Sequence, residues 1–193
     1  MMATMLADPV ARGDTADVLH AILDPDCALA IWDRALPAAL VADLAALDPD
    51  SVDDIDAVVR TDSAPVAVAV LLGGAGYDPA TALMLATEIG TSAERLARLA
   101  PVERFRIRLE IVTTDACRRF HADSVTLRLL VTLYGPGTQW IRTADPDTIE
   151  QVATGAVALF KGRLLLDDPT ILHRSPPVAG TGLHRLMLAI DPV

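Results

Sequence analysis

Arg119-Phe120-His121-Ala122-Asp123-Ser124, running straight into the apolar residues 125–134, is the stretch around which the chain is read. Residues 125–134 form its most strand-like segment. In extended backbone, residues i and i+2 point to the same side. The His121 imidazole and the Asp123 carboxylate therefore reach one point in space. They supply two thirds of a facial triad of two histidines and one carboxylate, the donor set that suits non-heme Fe(II). A distant histidine has to complete it. His173, in Ile171-Leu172-His173-Arg174-Ser175-Pro176-Pro177, stands 52 positions on, room enough for several strands to go out and return. Twelve positions further lies Arg185, whose planar fork suits a carboxylate. On that last strand Arg185, Met187 and Ala189 share one face, opposite Leu186, Leu188 and Ile190. The less bulky, more polar face suits a pocket.

The segments around this stretch read as β structure. Residues 104–113 alternate, with Phe105, Ile107, Leu109 and Ile111 on one face and Arg104, Arg106, Arg108 and Glu110 on the other, the pattern of a half-exposed strand. Tyr134-Gly135-Pro136-Gly137-Thr138 is a turn signal, and residues 139–142 start a return strand. Asp145-Pro146-Asp147 marks a loop. Residues 157–160, 163–166, 170–173 and 183–190 read as further short strands. So many short strands at this spacing point to a sandwich or barrel.

Before Pro101 the character differs. Residues 1–15 show no period and read as poorly ordered. A short amphipathic helical stretch follows from Ala16 and stops at Asp24-Pro25. Residues 28–47 read as one or two helices, with Pro37 in the first turn of the second. Ser51-Val52-Asp53-Asp54 reads as an N-cap with acids in the first turn, opening a helix to about Arg60. Residues 64–72 fit a buried strand or a helix equally. Gly73-Gly74-Ala75-Gly76 is a plain loop, lacking the spacing of a phosphate-binding loop. A helix from Asp78-Pro79 to about Glu88 follows, and Thr91-Ser92-Ala93-Glu94 resembles a capping box for another. The expectation is an α+β chain: a mainly helical part over residues 1–100 packed on a β core over 101–193.

Composition narrows the function. At 52% hydrophobic but only 4% aromatic, the chain buries a core built from Ala, Leu and Val. Its net charge of −10 argues against nucleic-acid binding. The charge is uneven: residues 1–100 hold 16 acidic and 5 basic side chains, residues 101–193 hold 10 and 11. A small anion is better received in the second half. Cys27 and Cys117 make no disulfide framework. There is no signal-peptide pattern, and residues 64–75 are too short to span a membrane. A cytoplasmic protein without membrane association is the expectation.

Several residues carry competing readings. Asp123 can orient His121 instead of binding an ion itself. Cys117, four before His121, allows a Cys-His-His zinc site. His20 and His184 read as ordinary side chains, Cys27 as a small buried residue in a helix, and Lys161-Gly162-Arg163 as a hairpin turn. No Gly-x-Ser-x-Gly is present for nucleophilic catalysis.

The ordered set His121-x-Asp123, His173, Arg185 resembles that of the 2-oxoglutarate- and Fe(II)-dependent dioxygenases over residues 104–191. The resemblance implies a double-stranded β-helix, or jelly roll. It implies His121, Asp123 and His173 as iron ligands and catalytic centre, and Arg185 as the group that holds the far carboxylate of 2-oxoglutarate. Arg128, Thr132 and Tyr134, on one face of their strand, are candidates for further cosubstrate contacts. The implied activity is oxidation of a substrate C–H bond with O₂. The alternative is a non-catalytic, cupin-like protein that holds zinc or iron through the same residues. The substrate, small molecule or protein, and the oligomeric state are left open. Taken whole, with 117–124, 134–138 and 173–177 as its most distinctive stretches, the sequence also looks like a bacterial family known as a domain of unknown function. That likeness implies no activity.

Overall fold

The computed structural model describes residues 8–193. Two sheets face one another. The larger has seven strands: β1 (Val10–Gly13), β2 (Leu29–Trp32), β3 (Ile55–Arg60), β4 (Arg104–Val112), β5 (Leu127–Tyr134), β8 (Val157–Lys161) and β10 (Arg185–Pro192), in the order β1-β2-β8-β5-β10-β4-β3. Only the β1–β2 pair is parallel. The smaller has three: β6 (Gln139–Arg142), β7 (Asp145–Gln151) and β9 (Ile171–Arg174), in the order β7-β6-β9. The return strand expected after the turn at 134–138 thus crosses to the other sheet and pairs with β9 and β7. This is the α+β, jelly-roll architecture expected from the motif.

Alternation along the central strands supplies two cores. From β5 and β10, Leu129, Val131, Leu186, Leu188 and Ile190 pack against helices α1 (Ala38–Ala46), α2 (Ala64–Gly74) and α3 (Pro79–Leu99). From the same strands, Leu130 and Ala189 turn the other way, onto Trp140 of β6 and Ile171 of β9. Arg185 and Met187 share that inward side. The helices are the outer layer of the large sheet, and the candidate site lies between the sheets. Among the described residues no helix is long and apolar enough to cross a membrane.

The N-terminal half departs from its expected pattern. It contributes three strands to the two edges of the large sheet, and both halves share one core. Residues 1–7 of the stretch read as poorly ordered lie outside the described residues; within the remainder Val10–Gly13 is strand β1. Ala16–Leu23 is a 3-10 helix. Leu29–Trp32, read as helix, is β2: it is sandwiched between β1 and β8 and buried on both faces, so it shows no alternation. Residues 55–60, also read as helix, are β3. Asp54, expected as an acid in the first turn of that helix, instead accepts a hydrogen bond from the Ile111 N–H at 2.7 Å and ties the strand to β4. The ambiguous residues from 64 on are helix. Asp78 caps α3 as expected, but the helix continues to Leu99, straight through the presumed capping box. Two further corrections concern the β half. Residues 145–151 are an edge strand, and residues 163–166 form a turn.

Candidate metal centre

Backbone hydrogen bonds place the two histidines. His121 lies in the long β4–β5 connection, and it forms an antiparallel bridge with His173 of β9: His121 N–H to His173 O at 3.0 Å, and His173 N–H to His121 O at 2.9 Å. His173 is held on its other side by β6, opposite Trp140. The imidazole centroids are 4.8 Å apart, and Phe160 packs on His173 with a centroid separation of 4.5 Å. Asp123 completes the group. Its Oδ2 is 3.0 Å from His173 Nε2 and its Oδ1 is 3.6 Å from His121 Nε2. One donor atom from each of the three residues lies within 4.8 Å of the others.

The donors are in states that suit an ion. His121 Nδ1 sits 2.9 Å from the Arg119 carbonyl, so Nδ1 carries a proton and Nε2 faces Asp123, as a ligand atom when the ring is neutral and as a donor when it is protonated. Hydrogen bonding to Asp123 raises the His121 pKa, against the effect of burial. Burial lowers that of His173, which is neutral despite the nearby carboxylate. Burial pushes Asp123 up, but hydrogen bonds from the two histidines and the charge of Arg128 outweigh it, and the carboxyl stays well below the usual range. Asp123 Oδ2 is buried and has no properly directed hydrogen bond, although His173 Nε2 is at contact distance. A carboxylate oxygen and an imidazole nitrogen this close share either a proton or a cation, and the donor set matches Fe(II) or zinc. The other oxygen is held by Arg128, whose Nη1 is 2.5 Å from Asp123 Oδ1. The rest of the Arg128 fork binds Asp191 at 2.7 and 2.6 Å.

Arg185 is fully buried. Its Nε donates to the Pro136 carbonyl at 2.6 Å, Nη2 to Thr132 and Thr138 Oγ1 at 3.1 Å each, and Nη1 to Ser175 Oγ. All of these acceptors are neutral. Burial drives its pKa down to about 10. A buried guanidinium without a counter-ion is costly, so this position is short of one negative charge. Arg185 does not itself open onto the cavity of about 130 Å³ that the metal donors line, but Thr138, Ser175 and Met187, all in contact with it, do.

The expected residues separate accordingly. His121, Asp123 and His173 converge, and Arg185 stands behind them. Arg128 lines the cavity but is spent on Asp123 and Asp191. Thr132 is a hydrogen-bond partner of Arg185. Tyr134 does not line the cavity: a register shift between β5 and β10 beside Leu186 breaks the alternation, and its ring stacks on His184 at 4.9 Å. Cys117 lines the cavity without joining the donor cluster, so a Cys-His-His site is not formed. Cys27 is buried as expected, but in the segment leading into β2 and not in a helix. Asp191, Ser175 and Thr138 were not picked out from sequence. The period of two from Arg185 through Met187 and Ala189 to Asp191 contains a signal for the first; the two hydroxyls carry none.

Solved structures share this fold. The chain matches a dioxygenase for auxin oxidation from rice (TM-score 0.51, 16% identity, 97% of this chain and 83% of the other). It matches the dioxygenase for auxin oxidation 1 of Arabidopsis thaliana in complex with 2-oxoglutarate (TM-score 0.58, 11% identity, 97% and 92%). A prolyl-4-hydroxylase from Pseudomonas putida is similar too (TM-score 0.51, 14% identity, 92% and 97%). Identities this low establish the fold alone. Among curated proteins none matches the sequence. A family model described as "Protein of unknown function (DUF1826)" matches residues 13–191, nearly the whole chain, and the chain belongs to that family.

Proposed function

We propose that the chain is a non-heme Fe(II)- and 2-oxoglutarate-dependent oxygenase. The observation that carries this reading is the convergence of His121, Asp123 and His173 on one point, with the buried Asp123 Oδ2 lacking a directed partner. His121, Asp123 and His173 would hold the ion and leave coordination positions for a cosubstrate and O₂. Fe(II) held there with a 2-oxoacid would supply the O₂ activation that such oxidations need.

The chain's own groups do the rest. The Arg119 carbonyl fixes the tautomer of His121. Arg128 holds one oxygen of Asp123 and leaves the other for the ion. A divalent ion with one carboxylate carries a local charge of about +1. The uncompensated Arg185 adds another, and a dianionic 2-oxoacid balances both. Ser175 and Thr138 line the cavity and accept hydrogen bonds from Arg185 on their hydroxyls. They are the surface that a carboxylate would meet, with the guanidinium behind it.

The test is anaerobic titration with Fe(II) and then 2-oxoglutarate. A visible charge-transfer band of the chelate is expected, absent in Asp123→Asn and His173→Ala. Tight zinc binding with no response to 2-oxoglutarate would favour the non-catalytic metal protein, and a chain that binds no divalent ion would sink both.

A further inference from the structure

Resting on that oxygenase reading, we propose that the primary substrate is anionic, and that its carboxylate or phosphate is bound by Arg174 together with Arg118 and Arg119. The small cavity over the metal donors adjoins a larger, open one. Cys117 and His121 line both, and the outer cavity, a surface depression of about 570 Å³, is otherwise lined by Asp115, Ala116, Arg118 and Arg119. About 130 Å³ holds roughly four waters. The outer volume lies within the range of small-molecule sites, about 300–1,000 Å³. The body of a substrate therefore sits in the outer cavity and presents one group past His121.

Charge at this mouth runs against the rest of the molecule. The chain carries −10, yet none of Arg118, Arg119 and Arg174 forms a salt bridge among the described residues. The carboxylate within the outer cavity, Asp115, accepts the Val178 and Ala179 N–H groups on Oδ1 at 2.8 and 2.9 Å; the charge of Arg118 is near enough to help lower its pKa, but the two form no salt bridge. Arg174 is held in place by neutral groups alone. Its Nε donates to Gln139 Oε1 at 2.8 Å, Nη1 to the Arg118 carbonyl at 3.4 Å, and the guanidinium lies 4.3 Å above the Phe120 ring. Nη2 has no partner among the described residues, and Arg174 is one of the residues that line the inner cavity. A guanidinium fixed by neutral acceptors and an aromatic face has lost its rotamer freedom but kept its charge, so little further ordering is needed to bind an anion. Its hydrogen bond to the Arg118 carbonyl ties it to the loop that carries the other two arginines.

The test is calorimetric titration of the metal-free full chain with phenyl phosphate and benzoate, and with benzamide as their neutral counterpart. The two anions are expected to bind and benzamide not, with affinity falling as salt is added. Arg174→Gln should weaken the anions by about tenfold to a hundredfold, the worth of one charge-assisted hydrogen bond, at an unchanged melting temperature. Arg118→Ala/Arg119→Ala, on an exposed loop, provides a second variant that leaves the sheet intact and should also weaken them. Equal binding of benzamide, or anion affinities unmoved in both variants, overturns the proposal, as does absence of anion binding to the wild type. Mn(II) affinity, followed separately by electron paramagnetic resonance, reports on the oxygenase reading alone, and the arginines are judged by calorimetry whatever it returns.

Discussion

Replacing Arg185 by methionine separates a structural arginine from one kept for an anion. Burial lowers its pKa from the usual guanidinium range to about 10. At about 1.36 kcal/mol per pKa unit, the folded chain carries this charge at a cost of roughly 3 kcal/mol. The penalty is fully present at neutral pH and is relieved only as the pH rises above about 10. Methionine fills the stem but leaves four acceptors without their donor. The Thr132 and Thr138 hydroxyls, which share one nitrogen of the fork, can turn to one another or to Ser175. The Pro136 carbonyl cannot be re-paired so readily, at about 1–3 kcal/mol. The two effects nearly cancel, so Arg185→Met without ligand should melt within about 5 °C of wild type, at about 2–4 °C per kcal/mol for a chain of this size. With 2-oxoglutarate at about a hundred times its Kd, wild type should gain about 2.7 kcal/mol, or about 5–10 °C, and the variant nothing. Differential scanning calorimetry with and without 2-oxoglutarate reads both numbers. A variant that loses more than about 5 kcal/mol, beside a wild type indifferent to 2-oxoglutarate, would show Arg185 to be a strut and refute the reasoning.

Arg128→Met leaves the buried Asp191 with Arg108 alone, at 3.7 Å, and removes the arginine partner of the half-buried Asp123; it should cost about 3 kcal/mol in chemical denaturation, and adding Asp191→Met should recover part of it. At Gly137→Ala the new Cβ would lie 1.7 Å from the Val152 carbonyl oxygen, a backbone clash at the entrance to β6. The variant should lose more than about 3 kcal/mol in the same assay or fail to accumulate as folded protein. Tyr77 is buried with its hydroxyl unpaired, and burial, aided by the charge of Asp54, raises its pKa to about 12. Its folded form holds the proton more tightly than the unfolded one, so stability is full below about pH 10 and falls between pH 10 and about 12. Tyr77→Phe should abolish that alkaline loss, and tyrosinate absorbance should show one late-ionising ring in the native protein.

What could be read from the sequence divides by burial. β4 was legible because one of its faces is open, and the alternation of Phe105, Ile107 and Leu109 with arginines records it. β2 was not, because it lies inside the sheet and is apolar on both sides. β7 failed for the opposite reason: it is an almost wholly exposed edge strand with no apolar face to signal it. The break expected near residue 90 is a packing contact. A Cβ on Gly90 would come within 3.0 Å of the Pro65 ring, so the glycine lets α2 and α3 approach and does not end the helix. At the site, His121, Asp123 and His173 could be singled out by residue type and order, and the fold brings them together. The hydroxyls around Arg185 escaped because Ser and Thr occur in every turn, and only the fold tells which of them meet a buried charge. Tyr134 misled because the alternation that placed it is interrupted beside Leu186.

The rung of main-chain hydrogen bonds between residues 121 and 173 has a bearing on how the centre is loaded. The spacing of the two imidazole carriers is a property of peptide groups and does not wait for an ion to gather them. Chelators should then strip the protein without unfolding it, and circular dichroism of the stripped and reloaded chain should superimpose. A cage assembled in advance pays no folding entropy at each capture. On the proposed reading, which divalent ion would occupy it is decided by donor chemistry and by supply, not by a rearrangement of the polypeptide.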